Sequence, residues 1–477
     1  MSKIHGVFVT ISLCFAALLV SGTAEAALGL MDNLPEKPGR VSRILQTVLN
    51  NIDERRAEII AIQRELVARP ALDPKYGGAG EEEKARWIED WLREQGLPSA
   101  ERVDSPDIRV PVNTRPNLII RWPGSSGRTL WIVGHLDVSP SSPETLWTGS
   151  PWVLRVDGDK LYGRGTLDNN QCITTGLIML QALASERATP QLGLGLLFIA
   201  GGKSDYPRAY GISHVLTARP DIFKSDDLIV VNDYGDDQGD LTEGSEKGVL
   251  QLKVTVQGKP AHAAQPQQGV NALQAGAGLI RILSGFHVAS PRTRALFTPD
   301  TPIFSATHVE AGSGIYDQIP GDFAFYLDCR FPPDYTVDEL QAAVRAVADE
   351  TERQENVVVR LERSLVIPAM PNTVTTAPTV LSLHQAIMEE LKVKPQLARI
   401  GAITIVAELR SQNLPVTVWR LGDSMSGEVD EHTTITSHIQ SARVFTRMLF
   451  YSDEPHTNSR IGGLQNVGTA LSRDARQ

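Results

Sequence analysis

The sequence predicts an α/β protein: a domain with a mostly parallel central sheet, interrupted by a ferredoxin-like α+β insert. Three observations point there. Continuously apolar strands alternate with helical stretches through the first half, the pattern of strands buried on both faces. After Gly248 the strands instead alternate apolar and polar residues, as half-buried strands do. Beyond Pro368 the chain returns to longer helices and one more apolar strand. A length of 477 residues exceeds one compact core and fits two domains.

Taken in order, residues 1–20 combine a short charged start with an apolar run, and Ala24-Glu25-Ala26 places small residues where a signal peptidase reads. The expectation is a cleaved signal peptide over 1–26 and a secreted or periplasmic mature protein that does not contact the membrane after cleavage. The competing reading, an uncleaved anchor, has a rather short apolar run to work with. Residues 43–67 carry Ile44, Leu45, Val48, Leu49, Ile52, Ile59, Ile60, Ile62 and Leu66 at helical spacing, which predicts one or two amphipathic helices. Residues 81–95 predict another, with Trp87, Ile88 and Leu92 on one face. Strands follow at 117–122 and 129–133, a helix at 170–185, and strands at 192–200 and 227–232. The insert then reads as strand 249–256, helix 271–283, strands 303–309 and 323–331, helix 337–349 and strand 357–361, a βαββαβ order. Residues 416–421 form a further apolar strand. The predicted boundaries are 27–247 with 366–455 for the main domain, 248–365 for the insert, and a polar tail over 456–477.

The composition is 42% hydrophobic and 21% charged, with a net charge of -10. That balance argues against nucleic acid or an anionic membrane surface as the main partner. Of the 3 cysteines, Cys14 would leave with the signal peptide. Cys172 and Cys329 are too few and too far apart for a disulfide framework or a zinc ribbon, and read as small buried hydrophobes.

The chemistry concentrates in Trp131-Ile-Val-Gly-His-Leu-Asp-Val-Ser139 and Leu161-Tyr-Gly-Arg-Gly-Thr-Leu-Asp168. Residues two apart on a strand point the same way, so His135 and Asp137 share one side of a strand end. A carboxylate beside an imidazole orients the ring and raises its basicity, as outer partners of metal-bound histidines do. The glycine-punctuated turn then delivers Asp168, an anionic oxygen donor. At a strand's carboxyl end these groups sit where ligands gather in open α/β sheets, as do the Ala200 region and Asp233.

Gly134-His-Leu-Asp-Val138, Trp147, Trp152 and Gly163-Arg-Gly-Thr-Leu-Asp168 together resemble the metal-binding core of the M20 metallopeptidases, most closely the carboxypeptidase S-like branch. The resemblance implies a zinc-peptidase-like main domain and a lid or dimerisation insert. It implies one or two zinc ions, with His135 holding one, Asp168 bridging two, and Asp137 as the orienting carboxylate of the catalytic set. It also implies a small-molecule or peptide substrate with a free carboxylate, and a homodimer formed through the insert. Asp233 matches a further ligand carboxylate.

Departures from the pattern are specific. Where the branch reads Phe-x-x-Gly-x-Asp-Glu-Glu, this chain reads Phe198-Ile-Ala-Gly-Gly-Lys-Ser-Asp205. The ligand glutamate falls on Asp205, the general-base glutamate on Ser204, and an aspartate on Lys203. In the late His-x-x-(Asn/Asp)-Glu pattern the histidine falls on Gly427, with His432 and His438 nearby, while Asp430-Glu431 are kept. On the insert, Gly258-Lys-Pro-Ala-His262-Ala-Ala-Gln-Pro266 implies that His262 polarises the scissile carbonyl. Arg330 would hold the substrate carboxylate, and Asp317 stands where the family has an amide. Two readings follow: a hydrolase of an amide or peptide bond in an N-acyl amino acid or small peptide, and a catalytically impaired relative that binds a carboxylate-bearing ligand without turnover.

Overall fold

A computed structural model describes residues 43–141, 143–203, 209–288, 297, 301–311, 314, 316–369, 376–400, 404–423 and 425–451. The signal segment, the C-terminal tail, Ser204 and Asp205 lie outside these. The helix Arg43–Asp53 buries Leu45, Val48, Leu49 and Ile52, one turn apart or adjacent, and so presents a single apolar face. Helix Arg56–Val67 follows after a short break.

The central sheet has 8 strands. In chain order these are β1 Glu101–Arg102, β2 Leu118–Trp122, β3 Thr129–His135, β4 Gly193–Ile199, β5 Leu228–Asp236, β6 Leu241–Glu246, β11 Gln396–Ile400 and β12 Val416–Leu421; β7 to β10 belong to the insert. Across the sheet they run β1-β2-β4-β3-β5-β12-β6-β11. The middle strands β4, β3, β5 and β12 are parallel to one another, while β1, β2 and β6 make the antiparallel contacts. Along β3, Leu130 and Ile132 face a core shared with helix Asn170–Ser185, and Trp131 and Val133 face a second core with Ile199, Val231 and Val418. Burial on both faces is why these strands read as unbroken apolar runs. Helix Asn170–Ser185 is itself buried almost all round, packed between the sheet and three outer helices.

Strands β6 and β11 were not predicted. Strand β6 is polar (Thr242, Glu243, Ser245, Glu246) yet buried, and Glu243 accepts from Arg410 Nη2 at 2.9 Å while Glu246 accepts from Thr404 N at 2.9 Å. Paired buried charges hide a strand from hydropathy. Strand β5 also runs four residues beyond the predicted 232, so Asp233 lies inside it, where the register against β12 shifts between Val418 and Arg420.

The insert is a 4-stranded antiparallel sheet, β7 Gly248–Gln257, β8 Ile303–Ala311, β9 Asp322–Phe331 and β10 Val358–Ile367, in the order β8-β9-β7-β10. Leu250, Leu252, Val254 and Val256 face helices Ala272–Ser284 and Val337–Glu355 in a separate core. The second helix starts at a capping box between Thr336 and Glu339 and continues past the predicted end to Asn356, whose left-handed φ of 55° stops it.

One ionic knot ties the early loops to the sheet. Arg115, fully buried, donates from Nη1 to Asp73 Oδ2 at 2.8 Å and from Nε to Glu81 Oε2 at 2.9 Å. Glu81 Oε1 in turn accepts from Gly201 N at 3.0 Å, just past the end of β4. Removing one partner of such a pair strands a buried charge. Arg115→Met should therefore lower stability by about 3–5 kcal/mol, read as a fall in the urea midpoint at unchanged slope.

Candidate metal centre

Three of the sequence-predicted groups converge where the parallel strands end. One donor atom each from His135, Asp168 and Asp233 lies within 4.8 Å of the others. His135 closes β3. Its Nε2 stands 3.0 Å from Asp168 Oδ1 and 3.7 Å from Asp233 Oδ1. Its Nδ1 stands 2.9 Å from the Asp137 carbonyl oxygen and 3.2 Å from Asp137 Oδ1. The orienting role assigned to Asp137 is thus shared between its carboxylate and its backbone, and both turn Nε2 toward Asp168.

The close approach depends on Gly134. A Cβ there would sit 2.3 Å from Asn169 Oδ1, which accepts from His135 N at 3.1 Å. Asn169 Nδ2 donates to Asn232 O at 2.7 Å, so one side chain staples the end of β3 to the middle of β5. Asp168 is positioned by Glu431, whose Oε1 accepts from the backbone N of Leu167 at 3.1 Å and of Asp168 at 3.0 Å. Arg164 Nη1 donates to Glu431 Oε2 at 2.5 Å and its Nη2 to Gly427 O at 3.0 Å. This clamp joins the glycine-punctuated turn to the late motif. The retained Asp430-Glu431 pair was its only sequence signal.

Lys203 enters the same site. Its backbone N–H reaches the Asp137 carboxylate at 3.1 Å, and its Nζ donates to Asp168 Oδ2 at 2.6 Å. Ser426 Oγ donates to that same Asp168 oxygen and accepts from Lys203 Nζ at 3.3 Å. Arg420, 2% exposed on β12, has Nε and Nη1 without hydrogen-bond partners among the described residues, and its charge acts on Asp168 and Lys203. Neither Ser426 nor Arg420 was singled out from the sequence, because their place in the site comes from strand and loop packing.

The electrostatics follow. Burial would push the Asp168 carboxyl up, but Lys203, His135 and Arg420 outweigh it and hold it well below the usual carboxylate range. Burial likewise works against a charged His135 ring, yet hydrogen bonds to Asp137, Asp168 and Asp233 raise it well above its ordinary value. Burial raises Asp137 too, but the His135 contact prevails and holds it at about 2. Proximity to Asp168 raises Lys203.

The donor set, an imidazole and two carboxylate oxygens, fits one divalent ion of the kind that three protein ligands hold in catalytic sites. Among the described residues, the other Asp168 oxygen, Oδ2, is engaged by Lys203 and Ser426.

The remaining predicted residues lie elsewhere. Gly427, at φ 79°, offers only its carbonyl, to Arg164. His438 is buried in helix Ile435–Phe450, where Gln63 Nε2 donates to its Nε2 at 2.9 Å and its Nδ1 donates to Thr434 O at 2.8 Å. His432 lies on Tyr162, with Nε2 3.2 Å from Asp423 Oδ2. Neither histidine joins the metal group. On the insert, His262 is exposed, with Nε2 3.9 Å from Asp317 Oδ2. Arg330, predicted to hold a substrate carboxylate, spends its fork on Asp328: Nε to Oδ1 at 2.6 Å and Nη2 to Oδ2 at 3.2 Å.

Two outcomes test this geometry. Glu431→Gln keeps an acceptor for the two backbone N–H groups but strands Arg164, and should cost about 3 kcal/mol by urea unfolding. His438, pushed down by burial to about 4 from 6.5, is neutral in the folded protein. Its contribution is complete above pH 6.5 and is lost as pH falls toward 4, a loss of roughly 3 kcal/mol. Unfolding across that interval should show this acid slope in the wild type and a shallower one in His438→Gln.

Comparison with known proteins agrees with this architecture. Residues 244–356 match the peptidase dimerisation domain model of the M20 family. The chain is 27% identical over 411 residues to an uncharacterized metallohydrolase of Methanocaldococcus jannaschii, covering 82% of this chain and 98% of that one. It is 25% identical over 403 residues to the succinyl-diaminopimelate desuccinylase of Variovorax paradoxus, covering 82% and 97%. Among solved structures, human carnosine dipeptidase 1 superposes with a TM-score of 0.68 at 18% identity, covering 87% of this chain and 99% of that one. A metal-donor triad where the parallel strands end, with a peptidase dimerisation domain matched over residues 244–356, makes the chain similar in sequence and fold to the M20 metallopeptidases and amidohydrolases.

Proposed function

We propose that the protein is an exported, zinc-dependent hydrolase that cleaves the amide bond of an N-acyl amino acid or small peptide carrying a free carboxylate. The observation that carries the proposal is the convergence of His135, Asp168 and Asp233 within 4.8 Å. The names of two similar proteins, a desuccinylase and a dipeptidase, support amide-bond substrates. The apolar start and the Ala24-Glu25-Ala26 site support export.

An ion held by these three residues would polarise a carbonyl and acidify water. The chain's own groups supply the rest. Asp137 turns the His135 ring, and Glu431 fixes the backbone that presents Asp168. The Lys203 ammonium, beside Asp168, is a fixed positive charge able to stabilise a developing oxyanion. Proton abstraction needs a different residue. Asp137, held at about 2, is a weak base near neutral pH, and Glu431 is committed to Arg164. Ser204 cannot accept a proton there, which leaves Asp205 or a group reaching in from elsewhere. His262 and Arg330 on the insert would meet the scissile carbonyl and the substrate carboxylate, and a homodimer through the insert is the assembly its dimerisation domain supports.

A second reading, binding of a carboxylate-bearing ligand without turnover, is favoured by one observation: the Lys203 to Asp168 contact, which stabilises the site without a second ion. Assays of the mature protein on N-acyl amino acids and dipeptides, with zinc or manganese added, separate the two. Metal-dependent hydrolysis that drops more than about 100-fold in Asp168→Ala, beyond the usual cost of losing an outer partner, is expected. Wild type indistinguishable from His135→Ala across the panel would defeat the hydrolase reading.

A further inference from the structure

We propose that the Lys203 ammonium stands permanently in the place of the second metal ion, making this a one-ion site completed by a cation of the chain itself. The inference rests on the metal-dependent reading above and concerns the number of ions, which that reading leaves open.

The geometry comes first. A bridging carboxylate must offer one oxygen to each of two cations. Here Asp168 Oδ1 faces His135 Nε2 at 3.0 Å, the side on which Asp233 also lies. Asp168 Oδ2 instead receives Lys203 Nζ at 2.6 Å and the Ser426 hydroxyl. Both donors present hydrogens to the oxygen a second ion would need. The backbone N–H of Lys203 is anchored on the Asp137 carboxylate, so the residue enters the site from a fixed point. Gly202 allows this: a Cβ there would sit 2.4 Å from His135 Cβ, and the loop could not lie so close to the ring.

Charge argues the same way. Among the described residues, the carboxylates of Asp168 and Asp233 face the cations of Lys203 and Arg420. One divalent ion already leaves that group positive; a second would add two more positive charges in a buried region beside Lys203. Arg420 supplies independent support, since a buried guanidinium, 2% exposed and with Nε and Nη1 unpartnered among the described residues, repels further cations. Position 427 contributes no side chain, so no imidazole offsets the loss of Asp168 Oδ2.

The test is a count of ions, independent of catalysis. The purified full chain is stripped with chelator, titrated with zinc, passed through a desalting column and analysed for metal per chain, with titration calorimetry in parallel. Wild type is expected to saturate at one ion per chain. Lys203→Asp, which removes the ammonium and adds an oxygen donor beside Asp168 and Ser426, is expected to take up a second. Saturation of the wild type at two ions overturns the proposal while leaving the hydrolase reading intact. So does Lys203→Asp, folded by circular dichroism, remaining at one. No ion bound in the wild type removes the metal-dependent reading and this inference with it. Should the variant fail to fold, the wild-type count still decides.

Discussion

The site is organised around a single buried carboxylate. Asp168 sits at the meeting point of the end of β3, the loop after β4, the end of β12 and the late loop at 426–431. A lone ionised carboxylate at that depth would be costly, and the side chain would protonate rather than stay charged. It remains charged because each surrounding segment delivers something to it: an imidazole, an ammonium, a hydroxyl, a nearby guanidinium. Its backbone is in turn pinned by a second buried carboxylate, Glu431, which is itself balanced by Arg164. Two buried acids, each with its own cation, hold five segments of chain in register.

That arrangement separates the structural contacts around the site from those that bear on its chemistry. Glu431 and Arg164 join two motifs more than 260 residues apart in sequence, and their bond is structural whatever the site's chemistry. Lys203, by contrast, sets its ammonium against Asp168 Oδ2, the contact on which the proposed one-ion site rests. A single acid-to-lysine difference reverses the sign of the charge facing Asp168 Oδ2. The insert is more loosely coupled: it has its own apolar core, its arginine is satisfied by the neighbouring Asp328, and its histidine is open to solvent.

Much of this was legible in the residues. The apolar runs of β3, β4 and β12 announced a doubly covered sheet, and the alternation from Val249 to Val256 announced the insert, because burial on two faces or one leaves a distinct period. His135 and Asp137, two apart at a strand end, had to share a side. Strand β6 was not legible, since its buried glutamates depend on Arg410 and Thr404, which arrive from distant sequence. Asp233 was expected at a strand end and instead lies within β5, because the shift in register against β12 is a property of the pair of strands.

The sequence by itself determined the fold class, the two-part plan and the identity of the convergent donors His135, Asp168 and Asp233, because periodicity and motif spacing are local properties. Only the tertiary structure decided which neighbours those donors meet. It sent His432 and His438 to other hydrogen bonds, brought Ser426 and Arg420 beside Asp168, and aimed Lys203 at the oxygen that a second ion would use. Distances between side chains from separate strands and loops depend on sheet order and register, and no local pattern encodes them.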